Sequence, residues 1–411
     1  MRILWVKTGP LLPLDTGGKR RTHAMLTEMS REHEVTYLAL LPEGCALHPA
    51  EEADAYARTK IWVTASVISK HTVRFWWQLM KSTLCSSKPY ALEKYEAPQL
   101  REKLRELART DAFDLVICDF LAPALNFSGL SFSAPRLLFE HNMEAQIWQR
   151  LAASQSSLLK RWYFKLQHRR MERWEARLCR EFDGVITVSP EDSEIAMKDY
   201  GLTNVLGHVP TGVDVSAFKA AKPGGPDAPF TTGFLGSMDW MPNIDACLYF
   251  VREILPRVRA ELPEARFLII GRNPPASIRQ LACADDRVEV TGTVEDVQPC
   301  VHRCHAIAIP LVAGGGTRIK IYEAMAMGVP VVSTTIGAEG LEVSHGEDIL
   351  LADEPQAFAA ALVALARDSA LREKLAAHAR RAVESRHSWA AATRRFMELC
   401  AHALPLNHPP S

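Results

Sequence analysis

Three consecutive glycines followed by two cations form the segment of this sequence with the clearest capacity for chemistry. The segment reads Gly314, Gly315, Gly316, Thr317, Arg318, Ile319 and Lys320. Glycine has no Cβ atom, so the backbone here can approach a ligand closely and offer its N–H groups. Arg318 and Lys320 fall in the first turn of a predicted helix, where the helix dipole disfavours cations and favours an anionic ligand. The pattern predicts a phosphate site.

A carboxylate follows one turn further along the same predicted helix. Glu323 stands three residues past Lys320, so it rises from the same helix end and can accept hydrogen bonds from hydroxyl groups. A phosphate cradle with a carboxylate beside it indicates a nucleotide-sugar or a similar phosphorylated ligand. The alternative is an ordinary strand-to-helix turn, which the glycines and the cations disfavour.

Two polar segments follow predicted strands in the first half of the chain. Gly17 and Gly18 form a turn after the first strand, at a position where open α/β sheets bind ligands, without the GxGxxG pattern of dinucleotide sites. Glu140, His141 and Asn142 end another predicted strand and are expected to face the same crevice. His141 could move a proton or hold a substrate hydroxyl. A flexible turn and a structural histidine are the alternatives.

Strand-like and helix-like segments alternate along the whole chain, which predicts doubly wound α/β domains. The predicted strands of the first half are near-continuous apolar runs, as in buried parallel sheets, and lie at residues 3–7, 35–41, 115–120, 136–140 and 185–189. Those of the second half lie at residues 233–235, 267–271, 288–290, 306–311, 329–333 and 349–351. A Pro/Gly cluster at residues 222–226 separates the halves, and two such halves imply a cleft.

Composition excludes several classes of protein. The 411 residues favour two or three domains, and the balance of 48 Lys+Arg against 48 Asp+Glu argues against nucleic-acid binding. No apolar run is long enough to span a bilayer, and the N-terminus becomes polar too soon for a signal peptide, so we expect a cytoplasmic protein. Nine unpatterned cysteines indicate reduced thiols. Residues 300–305 are expected to pack rather than to bind a metal.

Residues 143–182 form a long, helix-compatible and basic stretch. Between residues 158 and 180 there are eight Lys or Arg and two Glu, and residues 70–81 likewise combine cations with aromatic residues. Such segments can lie on an anionic membrane surface, which would make the protein peripheral on the inner face of the cytoplasmic membrane, or grip a lipid-linked acceptor. The alternative is a pair of helices that pack on their own domain and keep a solvated basic face.

With these features the chain resembles the large family of retaining, nucleotide-sugar-dependent glycosyltransferases called family 4 or group 1, and in particular its bacterial exopolysaccharide-associated branch. The residues that carry the resemblance are 17–18, 139–142, 211–214, 235–238, 314–332 and 387–389. The resemblance implies the GT-B fold, in which two Rossmann-like domains face each other and a C-terminal helix crosses back to the first. It implies an acceptor-side domain at residues 1–205, which includes the basic helical region 143–182, a donor-binding domain at 206–386, and the crossover helix and tail at 387–411.

The resemblance also implies residue roles. In the first domain, Gly17 and Gly18 would approach the donor diphosphate or the transferred sugar, and His141 would contact the sugar.

In the second domain, Gly236 would lie beside the donor phosphates, with the backbone of residues 314–317. Arg318 and Lys320 would bind the diphosphate charge, and Glu323 would bind the ribose hydroxyls. No metal is expected if these two cations neutralise the diphosphate, and the nucleoside-diphosphate sugar is a substrate rather than a cofactor.

The chain departs from the family pattern in two places. The family's first glutamate would stand at position 315, which is glycine, and that carboxylate usually contacts the donor sugar. The basic pair that usually follows the strand before Gly236 is missing, since Asp239 and Asn243 occupy this region. We expect the cations of the glycine-rich segment to replace the pair, and its backbone amides to replace the carboxylate.

The leading interpretation is an enzyme that moves a sugar from a nucleoside-diphosphate donor to a glycan or a lipid-linked acceptor. One alternative is a sugar epimerase of related fold, and another is a catalytically idle nucleotide-sugar-binding partner of a polysaccharide assembly complex. Retention of configuration follows from the resemblance and from no single residue. The residues specify neither the base, nor the sugar, nor the acceptor, nor the oligomeric state.

Overall fold

The chain forms two compact units, and each has its own parallel sheet. The computed structural model describes residues 1–14, 16–65, 82–83, 86–153, 157–220, 228–312 and 319–404. The first unit comprises Met1–Val209 together with the chain from Ala392 onward, and the second comprises Pro210–Ala391.

The sheet of the first unit has seven parallel strands in the order β3-β2-β1-β4-β5-β6-β7. Its strands are β1 (Arg2–Lys7), β2 (Glu34–Pro42), β3 (Thr59–Ala65), β4 (Leu115–Asp119), β5 (Arg136–Phe139), β6 (Gly184–Thr187) and β7 (Val205–His208). The central strands β1, β4 and β5 are almost entirely buried, because helices cover both of their faces.

The helices of the first unit connect these strands. They are α1 (Gly17–Met29), α2 (Tyr90–Glu93), α3 (Pro98–Ala108), α4 (Glu144–Ala153), α5 (Leu158–Glu181) and α6 (Pro190–Lys198), with a 3₁₀ turn at Ala124–Phe127. The basic stretch that the sequence presents as one helix-compatible run is therefore divided between α4 and α5 in the described residues.

The sheet of the second unit has six parallel strands in the order β10-β9-β8-β11-β12-β13. They are β8 (Thr231–Leu235), β9 (Arg266–Ile270), β10 (Val288–Val290), β11 (Ala306–Ile309), β12 (Val331–Ser333) and β13 (Leu350–Leu351). Its helices are α7 (Met241–Tyr249), α8 (Leu255–Glu261), α9 (Ala276–Ala284), α10 (Gln298–His302), α11 (Ile319–Ala326), α12 (Pro355–Arg367) and α13 (Ser369–Arg386), with a π-helical turn at Phe250–Ile254.

Strand order reverses once in each sheet, between β1 and β4 in the first unit and between β8 and β11 in the second. In an open parallel sheet, the connections on the two sides of such a reversal diverge and leave a crevice at the carboxyl ends of the strands. The predicted fold class, two doubly wound α/β domains, is confirmed. Each unit therefore has one favoured place for a ligand.

Two strands that the sequence analysis missed are the edges of the first sheet. β3 and β7 are mostly half-buried, and β7 has Gly207 at a φ of 139°. Edge strands are covered less than central ones, so their sequences lack the continuous apolar run that reveals a buried strand. Because β7 pairs with β6, the first unit extends past the predicted boundary at residue 205 to Val209.

The last helix, α14 (Trp389–Ala401), begins in the second unit and continues into the first. At its start a Cβ atom on Gly212 would lie 2.6 Å from the Trp389 side chain, and Val213 N donates to His387 O at 2.7 Å. Further along, the Phe396 ring packs on Trp5, with centroids 5.6 Å apart, within the first unit. In the described part of the chain, no helix combines the length and the apolar character needed to cross a membrane.

Candidate functional site

A buried carboxylate lies among four polar side chains at the strand reversal of the first sheet. Asp119 ends β4 and is fully buried. Its Oδ2 accepts hydrogen bonds from Lys7 Nζ at 2.6 Å, Thr22 Oγ1 at 2.6 Å and Trp5 Nε1 at 2.9 Å. Its Oδ1 lies 2.7 Å from His141 Nε2. The cluster links β1, α1, β4 and the residue pair after β5.

Sheet register brings these groups together. β1 and β4 are neighbours, with Val6 opposite Cys118, so Lys7 and Asp119 leave the sheet side by side. Thr22 lies in the second turn of α1, and its hydroxyl also contacts Lys7 Nζ at 2.8 Å. The ammonium, which is almost fully buried, and the fully buried carboxylate thus stabilise each other.

Burial sets the protonation state of His141. Burial lowers the pKa of His141 to about 3 although Asp119 opposes that shift, so the ring is neutral near pH 7. Burial alone would raise the pKa of Asp119, but the Lys7 ammonium and the His141 ring hold it well below its usual range. The ionised oxygen 2.7 Å from Nε2 favours the tautomer that carries its proton on Nε2, which leaves Nδ1 as an acceptor.

A strained aromatic residue connects His141 with the glycine turn. Phe120 follows Asp119 with a φ of 74°, a conformation that costs a bulky residue free energy and is found mostly where function requires it. Its ring stacks on His141, with centroids 3.7 Å apart. A Cβ atom on Gly18 would lie 2.6 Å from this ring, so glycine at 18 lets α1 begin directly against the stack.

A cavity of about 330 Å³ opens beside the stack. Phe120, Gly18 and Lys7 line one side. The remaining wall is largely apolar with a few polar groups, and includes Pro10, Ala91, Leu92, Tyr95, Ala122, Met171, Thr8, Thr16, Lys19 and Glu144. The mixture of apolar walls and a few polar groups is typical of sites for organic ligands.

Glu140 does not face this crevice, contrary to the sequence prediction. It is fully buried, and neither of its carboxylate oxygens has a hydrogen-bond partner among the described residues. Burial, and then the neighbouring Glu175 and Glu144, raise the pKa of Glu140 well above its usual value. Glu175 is occupied by the N–H groups of Glu144 and Ala145 and by the Tyr200 hydroxyl. We assign Glu140 to the core as a neutral acid.

In the second unit, a lysine lies against a glycine at the strand reversal. A Cβ atom on Gly236 would lie 2.6 Å from Lys320 Nζ, so a side chain at this position would displace the ammonium. Lys320 Nζ donates to Asn243 Oδ1 at 2.6 Å and lies 4.6 Å from the centroid of the Phe234 ring. The carboxyl end of β8, the start of α7 and the first turn of α11 therefore meet at one cation.

Six of the eleven predicted site residues lie in the part of the chain that the structure describes. Gly17 opens α1, which Thr16 caps by accepting from Lys19 N at 3.3 Å, and Gly18 and His141 both contact the Phe120 ring. In the second unit Gly236 and Lys320 are in contact, and Glu323 lies one turn further along α11, partly buried. The predictions for Gly314, Gly315, Gly316, Thr317 and Arg318 fall outside the described residues.

Sequence reasoning missed Asp119, Lys7 and Phe120. A signal was present, because Lys7 and Asp119 are charged residues that end otherwise apolar runs, as Glu140 and His141 do. In the sequence analysis both residues were counted as parts of the predicted strands 3–7 and 115–120 and were not recognised as site residues. Only the neighbouring positions of β1 and β4 in the sheet show that the two charges form a pair.

Comparison with known proteins assigns the chain to a family. A profile described as Glycosyltransferase Family 4 matches residues 16–217, and one described as Glycosyl transferases group 1 matches residues 229–368. The two matches span most of both units. The chain belongs to the group 1 / family 4 glycosyltransferases.

Among the relatives of this glycosyltransferase is a 44.6 kDa protein in the cps region of Klebsiella pneumoniae, 24% identical over 63% of this chain and 67% of that protein. The phosphatidyl-myo-inositol mannosyltransferase of Mycobacterium leprae is 29% identical over 46% of this chain, and the match spans about half of that enzyme, 52%. The crystal structure of Anabaena HepE with UDP and glucose has a TM-score of 0.62 at 15% identity, covering 98% of this chain and 99% of that one. That likeness shows the GT-B fold.

Separating the buried pair of this glycosyltransferase should destabilise it strongly. Asp119→Asn and Lys7→Met each leave one buried charge without its partner, which should lower the free energy of unfolding by about 3–5 kcal/mol. The double variant removes both charges and should cost less than the sum of the single variants. Urea unfolding of the four proteins measures this coupling. As a control, the two single variants and the double variant of the exposed pair Arg367 and Glu261 should show no measurable coupling.

Replacing the buried acid should make stability less dependent on pH. The pKa of Glu140 is raised in the folded state, so above its unfolded value the folded protein binds more protons than the unfolded chain, and stability falls as pH rises, by up to about 1.4 kcal/mol per pH unit. Glu140→Gln removes this loss, so its stability relative to wild type should increase from pH 5 to pH 8. Urea unfolding at both values measures the change, with the exposed Glu191→Gln as control. A pH-independent difference would contradict the assignment.

Proposed function

We propose that this protein transfers a sugar from a nucleoside-diphosphate sugar to a glycan or lipid-linked acceptor in the synthesis of a cell-surface polysaccharide. The observation that carries the proposal is the Lys320 ammonium held against Gly236 at the strand reversal of the second sheet. A cation beside bare backbone at this place suits a diphosphate.

Family membership and the names of relatives support the donor class. Mannosyltransferases are among the relatives, one of them described as GDP-mannose-dependent, and the Anabaena protein of similar fold binds UDP. The relative in a cps region supports a role in capsule or exopolysaccharide synthesis. These proteins differ in their nucleotide, so we leave the base open.

The chemistry assigned to the second unit is stabilisation of the leaving group. Cleavage of the bond between the anomeric carbon and its oxygen places negative charge on the departing diphosphate. A fixed ammonium at Lys320 stabilises that charge without having to reorganise, which is usually a large contribution to catalysis. Glu323, one turn along α11, is proposed to accept hydrogen bonds from the ribose hydroxyls.

The chemistry assigned to the first unit is recognition of hydroxyl groups. A neutral His141 held by Asp119 offers Nδ1 to a sugar hydroxyl, and the Phe120 stack keeps the ring in place. The cavity beside Gly18 is proposed to receive the acceptor. Family membership further suggests that transfer retains the configuration at the anomeric carbon, which the anomeric proton coupling of the product tests.

Donor binding and turnover should respond differently to two substitutions. Lys320→Ala should weaken binding of the nucleotide sugar roughly tenfold to a hundredfold, because a charged hydrogen bond to the diphosphate is lost. His141→Ala should lower the rate of donor hydrolysis more than it lowers affinity. Calorimetry with a panel of nucleoside-diphosphate sugars, followed by assay of nucleotide release, measures both, and the exposed Lys374→Ala is the control.

The outcomes separate the alternatives. Release of the nucleoside diphosphate supports transfer, whereas an altered sugar still attached to the nucleotide would indicate an epimerase. Binding without turnover in the presence of glycan and lipid-linked acceptors would indicate a nucleotide-sugar-binding partner. If none of the donors binds, the proposal is wrong.

We further propose that α4 and α5 rest on the anionic inner face of the cytoplasmic membrane. Five large apolar side chains on these two helices are exposed; this apolar patch consists of Ile147, Leu151, Leu158, Leu159 and Trp162. Leu158 and Leu159 are 77% and 75% exposed, which is unusual for leucine. Exposed cations border the patch on α5, among them Lys160 and Lys165. Apolar and cationic groups together are what an anionic lipid surface binds. The related basic segment 70–81 lies outside the described residues.

Vesicle binding should depend on this part of α5. The double variant Lys160→Gln, Lys165→Gln should bind phosphatidylglycerol vesicles roughly tenfold or more weakly, since each cation near such a surface contributes about 1 kcal/mol. Leu159→Ser with Trp162→Ser should reduce binding by loss of apolar burial. Sedimentation with vesicles measures both, and Arg177→Gln, an exposed cation further along the same helix, is the control. Unchanged sedimentation of all variants would remove the membrane from the proposal.

A further inference from the structure

Arg272 follows β9 at the same sheet edge as Gly236, because β9 and β8 are paired neighbours. A Cβ atom on Gly271 would lie 2.0 Å from Gly236 O, so the two strand ends can approach this closely only because residue 271 is glycine. The backbone continues the contact, since Met238 N donates to Arg272 O at 3.0 Å. Arg272 is thereby fixed beside the loop that receives Lys320.

A continuous chain of contacts connects the two cations. Lys320 Nζ donates to Asn243 Oδ1 at 2.6 Å, and Asn243 Nδ2 donates to Ser237 O at 2.6 Å. Arg272 Nε in turn donates to Ser237 Oγ at 3.2 Å. The ammonium and the guanidinium therefore flank one short loop that begins at Gly236.

The guanidinium is oriented with its outer edge available. In the described part of the chain, both side-chain hydrogen bonds of Arg272 use Nε, to Ser237 Oγ and to Asp239 Oδ2 at 3.0 Å. Asp239 is itself held by Asn273 Nδ2 at 3.0 Å. The Arg272 side chain remains 54% exposed, and an ion pair this exposed contributes little to folding. The terminal nitrogens form a planar fork of the kind that binds phosphate oxygens in pairs.

The positive charge at this edge of the sheet comes from outside the loop that begins at Gly236. The segment from Ser237 to Asn243 contains no lysine or arginine, so positive charge at this edge comes from residues outside it. Lys320 supplies one charge from α11, and Arg272 supplies another from the end of β9. Among the described residues no side chain caps the first turn of α7, which starts in the same loop, so its N–H groups add to the positive potential.

We propose that Arg272 is a diphosphate-binding residue that acts with Lys320, so that each cation binds one phosphate of the nucleoside diphosphate. The inference rests on the proposed function and assigns to it a residue that lies outside the glycine-rich segment. Asp239 positions the guanidinium through Nε and leaves its terminal nitrogens to the ligand. Lysine at 272 would keep the charge and lose the fork.

The test is calorimetric titration of the full chain with UDP, GDP, ADP and dTDP, and with the matching nucleosides. Arg272→Gln should weaken binding of the preferred nucleoside diphosphate roughly tenfold to a hundredfold and leave nucleoside binding unchanged. Arg272→Lys should recover part of the loss. Arg303→Gln is a matched control, because Arg303 is also 54% exposed and also pairs with a half-exposed carboxylate, Glu289.

The outcomes distinguish this inference from the function on which it rests. If the wild-type chain binds none of the four nucleotides, the proposed function fails and the inference fails with it. If wild type binds one of them and Arg272→Gln binds it equally well, only the inference is overturned. A loss in Arg272→Gln that appears equally with the nucleoside, or equally in Arg303→Gln, also overturns it. A loss confined to Arg272→Gln and to the diphosphate establishes it.

Discussion

Asp119 and Lys7 bring opposite charges within 2.6 Å of each other in a place that is almost fully buried. Burying either charge alone is costly, so each requires the other and both require additional donors. Trp5, Thr22 and His141 complete the set around the carboxylate. The positions of β1, β4, α1 and the residues after β5 are therefore tied to one carboxylate, and His141 is neutral because of its burial, although Asp119 beside it opposes this.

The two units have the same sheet architecture but chemically different candidate sites. Both sheets reverse their strand order once, and in both the candidate residues lie at that reversal. The first unit buries its charges around a neutral imidazole that stacks on Phe120, a residue of the cavity wall, which suits recognition of hydroxyl groups. The second keeps its cations near backbone that glycines have exposed, at Gly236 and Gly271, which suits a diphosphate. Glycine is needed for packing at Gly236 and Gly271, because it lets a cation or a strand end approach where a side chain would collide.

Local patterns in the sequence were sufficient for the central strands and for the turns that follow them. Apolar runs located the buried strands, and polar residues at strand ends located His141 and the glycine turn at 17–18. The same rule placed Glu140 in the crevice, which was wrong, since its side chain points into the core of the first unit. Adjacent residues after a strand alternate in direction, so a pattern that identifies two polar neighbours does not say which one faces the ligand.

The sequence by itself determined the fold class, the family and most of the candidate residues, because these depend on periodicity and spacing along the chain. Tertiary structure alone decided which residues act together. Lys7 and Asp119 are 112 residues apart and Lys320 and Asn243 are 77 apart, and no spacing rule connects such positions. Strand register and the order of strands in a sheet bring them into contact. The electrostatic environment that makes His141 neutral and orients Arg272 arises only from that contact, since charge interactions depend on distance and burial in space.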